Sequence, residues 1–221
     1  MEEPFVPDAY DKLKPVHLKY AHLFLRAAIA LDESSPASAG GLDMDPPVYF
    51  LSALGSELTF KACLAYARVP SAKIEKFRHN LEALLSSVRA NATCTTIVHA
   101  AETEACAKWR DFLRSSRDEQ LAKVRDPIAR IVLTDEVPSN ADISAAIPRF
   151  VDAIKWLSDR YKDKGGTLRY VRTGSGHRLQ IDGFGLEVRA IPRTVCWVCE
   201  HILQRLENDL RRMGTAETVE E

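Results

Sequence analysis

The sequence predicts a mostly α-helical bundle with a small β-hairpin or meander inserted before the last helix. Two observations support this fold class. Apolar residues recur at three- and four-residue spacing through most of the 221 residues. The period changes to two only between Thr167 and Arg189, before Pro192 opens a last helical pattern. We expect a single domain over residues 1–221, because a chain of this length can bury a proper core.

Each predicted helix carries an apolar stripe along one face. Proline, glycine or short polar breaks separate the helices. Prolines also suit the first turns of three of them, because the first helical amides need no partner within the helix. In chain order, we predict helices over 15–29, 47–68, 72–89, 96–133 with an interruption at Pro127, about 140–164, and 193–213.

Three segments are predicted to lie outside the helices. Residues 32–47 are rich in Ser, Pro, Gly and Asp, which is typical of an exposed loop. Residues 167–189 alternate in the manner of two or three short strands around a Gly-Ser-Gly turn, and form the predicted hairpin insertion. Residues 214–221 form an acidic tail that we expect to fray.

Composition narrows the classes of function. The 30 Lys and Arg residues almost balance the 31 Asp and Glu residues, so any contact with nucleic acid needs a local basic patch. No apolar run approaches the roughly 18 residues of a membrane span, and the acidic N-terminus does not resemble a signal peptide. Five cysteines, an odd count, argue against a disulfide framework. We therefore expect a cytoplasmic protein with no membrane contact and no cofactor.

The second helix and the segment after it carry the most informative polar residues. Glu57 and Lys61 are four residues apart, so they share a helix face and can form an ion pair. Such a pair is most often solvated, but both side chains could instead point into a groove that faces His79. His79 in turn is either a site residue or a structural residue that hydrogen-bonds across the junction between two helices.

These residues resemble a pattern of the HEPN superfamily of small helical-bundle proteins. That pattern is a Glu-Leu-x-x-Lys-Ala helix followed by a His-Asp-Leu helix start. Here Glu57-Leu-Thr-Phe-Lys-Ala62 is followed by His79-Asn-Leu81. Asn80 stands where Asp is commoner, and both residues cap helices well. The resemblance covers residues 15–90 best and the last helix more loosely.

The HEPN resemblance implies function as well as fold. It implies a bacterial-type cytoplasmic protein, commonly a homodimer, that binds or acts on RNA or nucleotides. Such proteins often serve in defence or toxin–antitoxin systems, where a second protein can be a partner. Their ribonucleases use an Arg, four to six intervening residues, and a His near the start of the last helix. The His is then a general acid or base, and the Arg stabilises phosphate charge.

That catalytic spacing is poorly matched in this chain. Only Arg172 and His177 fit it, and they flank a glycine-rich turn instead of lying on a helix. Arg193 and His201 lie on the last helix, but seven residues separate them. With Arg169 and Arg178 nearby, the turn could bind a phosphate. It could equally be an ordinary hairpin tip.

The remaining Cys and His residues predict no metal site. Cys196 and Cys199 have the spacing of a redox pair, but the apolar residues around them favour core packing, and no second pair with this spacing could complete a zinc site. His17, His22 and His99 do not suggest metal ligands either.

Three functions are compatible with these patterns. The first is a non-catalytic binding module that uses Glu57, Lys61, His79 and the basic turn at 169–178. The second is a divergent metal-independent ribonuclease that uses Arg172 and His177, and the third is a structural bundle without a ligand. We favour the first, because a glycine-flanked turn holds a catalytic Arg and His poorly. RNA or a nucleotide, a second copy of the chain and a protein partner are the expected partners.

Overall fold

The computed structural model describes residues 15–34, 45–123, 147–161, 178–179 and 188–217. These residues are almost all helical, which confirms the predicted mostly α-helical bundle. The helices are, in chain order, α1 (Pro15–Ser34), α2 (Asp45–Tyr66), α3 (Ser71–Glu75), α4 (Leu81–Ala90), α5 (Ala92–Lys123), α6 (Phe150–Tyr161) and α7 (Ala190–Glu217).

Helix α2 is central to the bundle and packs against α1, α4, α6 and α7. Gly55 allows the close approach of α1, because a Cβ at this position would lie 2.6 Å from Cδ2 of the buried Leu25 and 3.3 Å from its backbone nitrogen. Buried hydroxyls on α2 donate to carbonyls four residues earlier, as Ser52 and Thr59 both do at 2.8 Å. A helix that lies in the core can therefore carry polar residues without leaving them unpaired.

Trp109 is fully buried and ties α5 to α7. Its ring lies 4.9 Å from that of Trp197 and 5.8 Å from that of Phe112, and its Nε1–H donates to Thr194 Oγ1 at 3.0 Å. A single continuous core therefore joins the two longest helices to the rest of the bundle.

The predicted helix over 72–89 is wrong in its middle. Helix α3 ends at Glu75, turns follow, and α4 begins only at Leu81. Arg78 has a φ of 48°, which no α-helix contains. The Asn80 side chain caps α4 by accepting a hydrogen bond from the Ala83 amide at 3.0 Å. The predicted start of a helix at His79-Asn-Leu81 is thus confirmed.

Several predicted boundaries need correction. The loop placed at 32–47 is too wide, because α1 extends to Ser34 and α2 begins at Asp45. The tail placed at 214–221 begins too early, because α7 continues to Glu217. The break expected near residue 91 is shorter than predicted, since α5 begins at Ala92. There the Asn91 side chain accepts a hydrogen bond from the Cys94 amide at 3.2 Å.

Only a small part of the predicted β-hairpin at 167–189 belongs to the described residues. Strand β1 (Arg178–Leu179) pairs with β2 (Val188–Arg189) in antiparallel register, with Arg178 opposite Arg189. Two strands of two residues each do not confirm a hairpin or meander. The rest of the insertion, which includes Arg169, Arg172 and His177, lies outside the described residues.

Within the described part of the chain, no helix combines the length and the apolarity that a bilayer crossing requires.

Candidate functional site

Glu57 is a buried carboxylate at the centre of the candidate site. It is only 3% exposed, although it lies on a helix that was predicted to present it to solvent or to a groove. Oε1 accepts a hydrogen bond from Lys61 Nζ at 2.7 Å, and Oε2 lies 2.9 Å from His79 Nδ1. The solvated-pair interpretation is therefore wrong, and the arrangement that faces His79 is the one in the structure.

The buried carboxylate orients an exposed imidazole. The His79 side chain is 58% exposed, and only its Nδ1 edge meets Glu57. Since an ionised carboxylate can only accept, Nδ1 carries the proton in this contact, and Nε2 of the neutral ring becomes the acceptor. The described residues offer Nε2 no hydrogen bond. The site therefore presents an oriented imidazole nitrogen to solvent.

Helix α6 supports His79 from the other side. The Tyr161 ring meets the imidazole edge to face, with centroids 5.6 Å apart. The buried Ser158 hydroxyl accepts from the Glu82 amide at 3.2 Å and lies 3.4 Å from Asn80 Oδ1. The start of α4 is therefore tied to α6. Asn80 therefore takes part in both the cap and this contact.

The connection between α2 and α4, which carries His79, is rich in basic residues. Lys73, Lys76 and Arg78 are all exposed, and Glu75 is the only acidic residue among residues 71–80. The near-neutral composition of the whole chain does not reveal this local excess of positive charge. The spacing Lys-x-x-Lys-x-Arg-His was the signal that could have revealed it.

The structure does not bring the remaining predicted site residues to Glu57. Arg169, Arg172 and His177 lie outside the described residues, and Arg178 is described only through its backbone pairing in β1. Their predicted roles in catalysis and binding therefore stay predictions.

Arg193 and His201, the other Arg and His considered on the last helix, both form contacts between helices. Arg193 is buried and binds Asp32 of α1 through Nε at 3.2 Å and Nη2 at 2.5 Å. His201 Nδ1 lies 3.0 Å from Glu104 Oε2 of α5. Each side chain thus holds α7 against a neighbouring helix.

Cys196 and Cys199 are core residues, as predicted. Both are buried, and their sulfur atoms lie 3.3 Å from Ser52 Oγ and 3.6 Å from Ser56 Oγ. Burial raises the pKa of Cys196 far above its ordinary value and that of Cys199 to about 12, although the serine hydroxyls act in the opposite direction. Neither thiol ionises readily, so this pair lacks the thiolate that redox exchange requires.

His22 forms a second polar cluster that the sequence did not predict. Its Nδ1 lies 3.6 Å from Glu200 Oε1 and its Nε2 lies 3.2 Å from Glu207 Oε1, both across the interface between α1 and α7. Arg26 approaches Glu200 from the same helix as His22, at 3.5 Å. Among the described residues, no group of three or more His, Cys, Asp and Glu side chains could hold a metal ion. The cluster is therefore an interhelical ion-pair network.

This network predicts a pH-dependent contribution to stability. Burial alone would raise the pKa of Glu200, but the interaction with His22 and the charge of Arg26 lower it below its ordinary value of 4.5. A lowered folded-state pKa stabilises the protein above pH 4.5, and this contribution is lost as the pH falls through the folded-state pKa. Urea unfolding of wild type and Glu200→Gln should therefore differ most near neutral pH, by roughly 1–2 kcal/mol. A gap that is unchanged or wider in acid would contradict this assignment.

Comparison of the chain with family models, curated proteins and solved structures finds no match for it. Membership of the HEPN superfamily therefore stays a prediction that rests on the residues from Glu57 to Leu81.

Proposed function

We propose that the protein is a non-catalytic RNA- or nucleotide-binding module that recognises phosphate at His79 and the basic residues beside it. One observation carries the proposal. The buried Glu57 carboxylate holds an exposed imidazole in one orientation, next to Lys73, Lys76 and Arg78 on the same connection. An ion pair needed only for packing would not require an exposed imidazole or three unburied cations.

The charges of this surface suit a polyanion. Lys and Arg bind nucleic acid mainly by neutralising phosphates and releasing counterions, and a local patch is sufficient when the net charge is near zero. The chain has a formal net charge of −1 at pH 7. Binding should therefore depend on where the positive charges lie more than on their total number.

Neutralising the connection should weaken RNA binding. In Lys73→Gln/Lys76→Gln/Arg78→Gln, we expect affinity for a labelled single-stranded RNA to fall at least about tenfold, because three phosphate contacts are lost. The slope of log affinity against log salt should fall by about 2 units, since each contact contributes roughly 0.7. Fluorescence anisotropy over a salt series measures both quantities.

A matched variant separates the local patch from overall charge. Lys19→Gln/Arg114→Gln/Arg211→Gln removes the same three charges from exposed positions on α1, α5 and α7. We expect it to bind RNA like wild type. Equal losses in the two triple variants, or no binding by the folded wild type, would reject the proposed surface.

The Glu57–His79 pair also suits the alternative function, a ribonuclease. A buried carboxylate on Nδ1 and a free Nε2 form the arrangement by which a general base is oriented. RNA cleavage in EDTA that is lost in His79→Ala would make the protein an enzyme at this site, whereas loss only in Arg172→Ala and His177→Ala would favour the pair expected from the HEPN resemblance. If the folded protein neither cleaves nor binds RNA, that result favours the structural bundle.

The homodimer and the defence or toxin–antitoxin setting belong to this proposal through the HEPN resemblance alone.

A further inference from the structure

A concave surface lies away from His79. A cleft of about 530 Å³ opens between α5, the start of α6 and α7, and Arg89 borders it. His79 precedes α4 and Arg89 lies in its last turn, so the two regions are at opposite ends of a helix of 10 residues, about 15 Å long. The cleft volume falls within the range of small-molecule sites.

The inner walls of the cleft are apolar and rigidly held. Ala105 and Trp109 of α5, Phe150 of α6 and Val198 of α7 all line it, and all belong to the buried core. Three helices supply these walls, so the cleft is a feature of the packed bundle and not of a single loop. An apolar molecular body fits such walls.

One buried polar group also faces the cleft. Thr194 lines it and is only 3% exposed. Its Oγ1 accepts a hydrogen bond from Trp109 Nε1, but the described residues provide no acceptor for its hydroxyl proton. Because a buried donor without a partner is costly, a ligand oxygen at this point would be favoured.

The mouth of the cleft carries two guanidinium groups. Arg89 pairs with Glu102, and Arg149 binds Asp152 through Nε at 2.7 Å and Nη2 at 3.1 Å. Arg149 and Asp152 are both largely exposed, so a ligand carboxylate can compete for the guanidinium at little cost. Arg149 is therefore suited to bind a carboxylate in the bidentate geometry that guanidinium prefers.

We propose that this cleft binds a small planar aromatic carboxylate. The ring lies against Phe150 and Val198, an oxygen at the inner end accepts the Thr194 proton, and the carboxylate meets Arg149. This site is independent of the RNA surface at His79, so either proposal can fail without the other.

The probe is para-coumarate, which has a carboxylate at one end and a phenol oxygen at the other. Cys106 provides the readout, because it lines the cleft and is the one exposed residue among the five free cysteines. We expect para-coumarate to slow modification of Cys106 by a thiol reagent, and titration calorimetry on the full chain to give the dissociation constant. Cinnamate, which lacks the phenol oxygen, is the matched ligand.

Each contact has its own variant. Thr194→Val should weaken para-coumarate about tenfold and leave cinnamate unchanged, because only the former has an inner oxygen. Arg149→Gln should weaken both ligands by a similar factor, and Arg114→Gln, an exposed arginine of α5 outside the cleft, should weaken neither. Ala105→Leu, which puts a larger side chain into the cleft wall, should weaken both.

The results that overturn the proposal are equally specific. They are an unchanged rate of Cys106 modification together with no measurable heat at millimolar para-coumarate, or binding that both Ala105→Leu and Arg149→Gln leave unchanged. Because Arg149 is exposed, its variant tests the site even if Ala105→Leu fails to fold.

Discussion

Replacing Glu57 by Ala should lower the free energy of unfolding by about 3–5 kcal/mol, because it leaves a half-buried ammonium without its partner. The Lys61 side chain is 17% exposed and its Nζ lies 2.7 Å from the carboxylate that would be lost. His79 Nδ1 would lose its acceptor in the same variant. Urea denaturation followed by circular dichroism measures the loss, and the imidazole NMR signals of His79 should move toward those of an unstructured histidine as the ring becomes free to turn.

Two further variants separate burial of the charge from loss of the contact. The double variant Glu57→Leu/Lys61→Met should cost several kcal/mol less than the sum of the two single changes. Removing both charges leaves neither one unpaired. Glu102→Ala, which breaks a more exposed pair with Arg89, should change stability by no more than about 1 kcal/mol. A loss below about 1 kcal/mol in Glu57→Ala would show that solvent already screens the pair, as the sequence first suggested.

The sequence predicted the shared face of Glu57 and Lys61 but could not predict its environment. Residues four apart lie on one face of any helix, whether that face is exposed or buried. Burial of Glu57 depends on the packing of α2 against α4 and α6, which brings in residues as distant in sequence as Tyr161. The position of His79 beside it was suggested by the resemblance and not by helical periodicity.

The interruption before α4 shows how a local signal can override a periodic one. Phe77 and Leu81 fit the apolar spacing of one continuous helix, so periodicity extended the helix through them. The left-handed backbone at Arg78 and the side-chain cap of Asn80 break it there. Asn is unfavourable inside a helix and favoured at its N-cap, where its side chain accepts from backbone amides. Asn80 was therefore a signal in the sequence for a helix start.

The His22 network could not have been found from spacing. Its partners Glu200 and Glu207 lie near the other end of the chain, and they meet His22 only because α7 packs against α1. A lone histidine on an apolar helix face carries no sequence signal of this kind. Interactions across distant segments therefore require the packed structure.

Trp109→Ala should destabilise the protein by about 3–5 kcal/mol, because it removes a fully buried indole from the junction of α5 and α7. Its contacts with Trp197 and Phe112 and its hydrogen bond to Thr194 are all lost together. Thermal and urea unfolding monitored by circular dichroism test the prediction. A loss under about 1 kcal/mol would be incompatible with a close-packed α5–α7 interface.

The hydrogen bond can be separated from the packing at the same position. Trp109→Phe keeps most of the ring volume but leaves the buried Thr194 oxygen without its donor, which should cost about 1–2 kcal/mol beyond the smaller loss of volume. Thr194→Val should remove most of that extra cost when it is added to Trp109→Phe, because no unpaired polar atom then remains. Strictly additive losses would mean that the indole and the hydroxyl act independently.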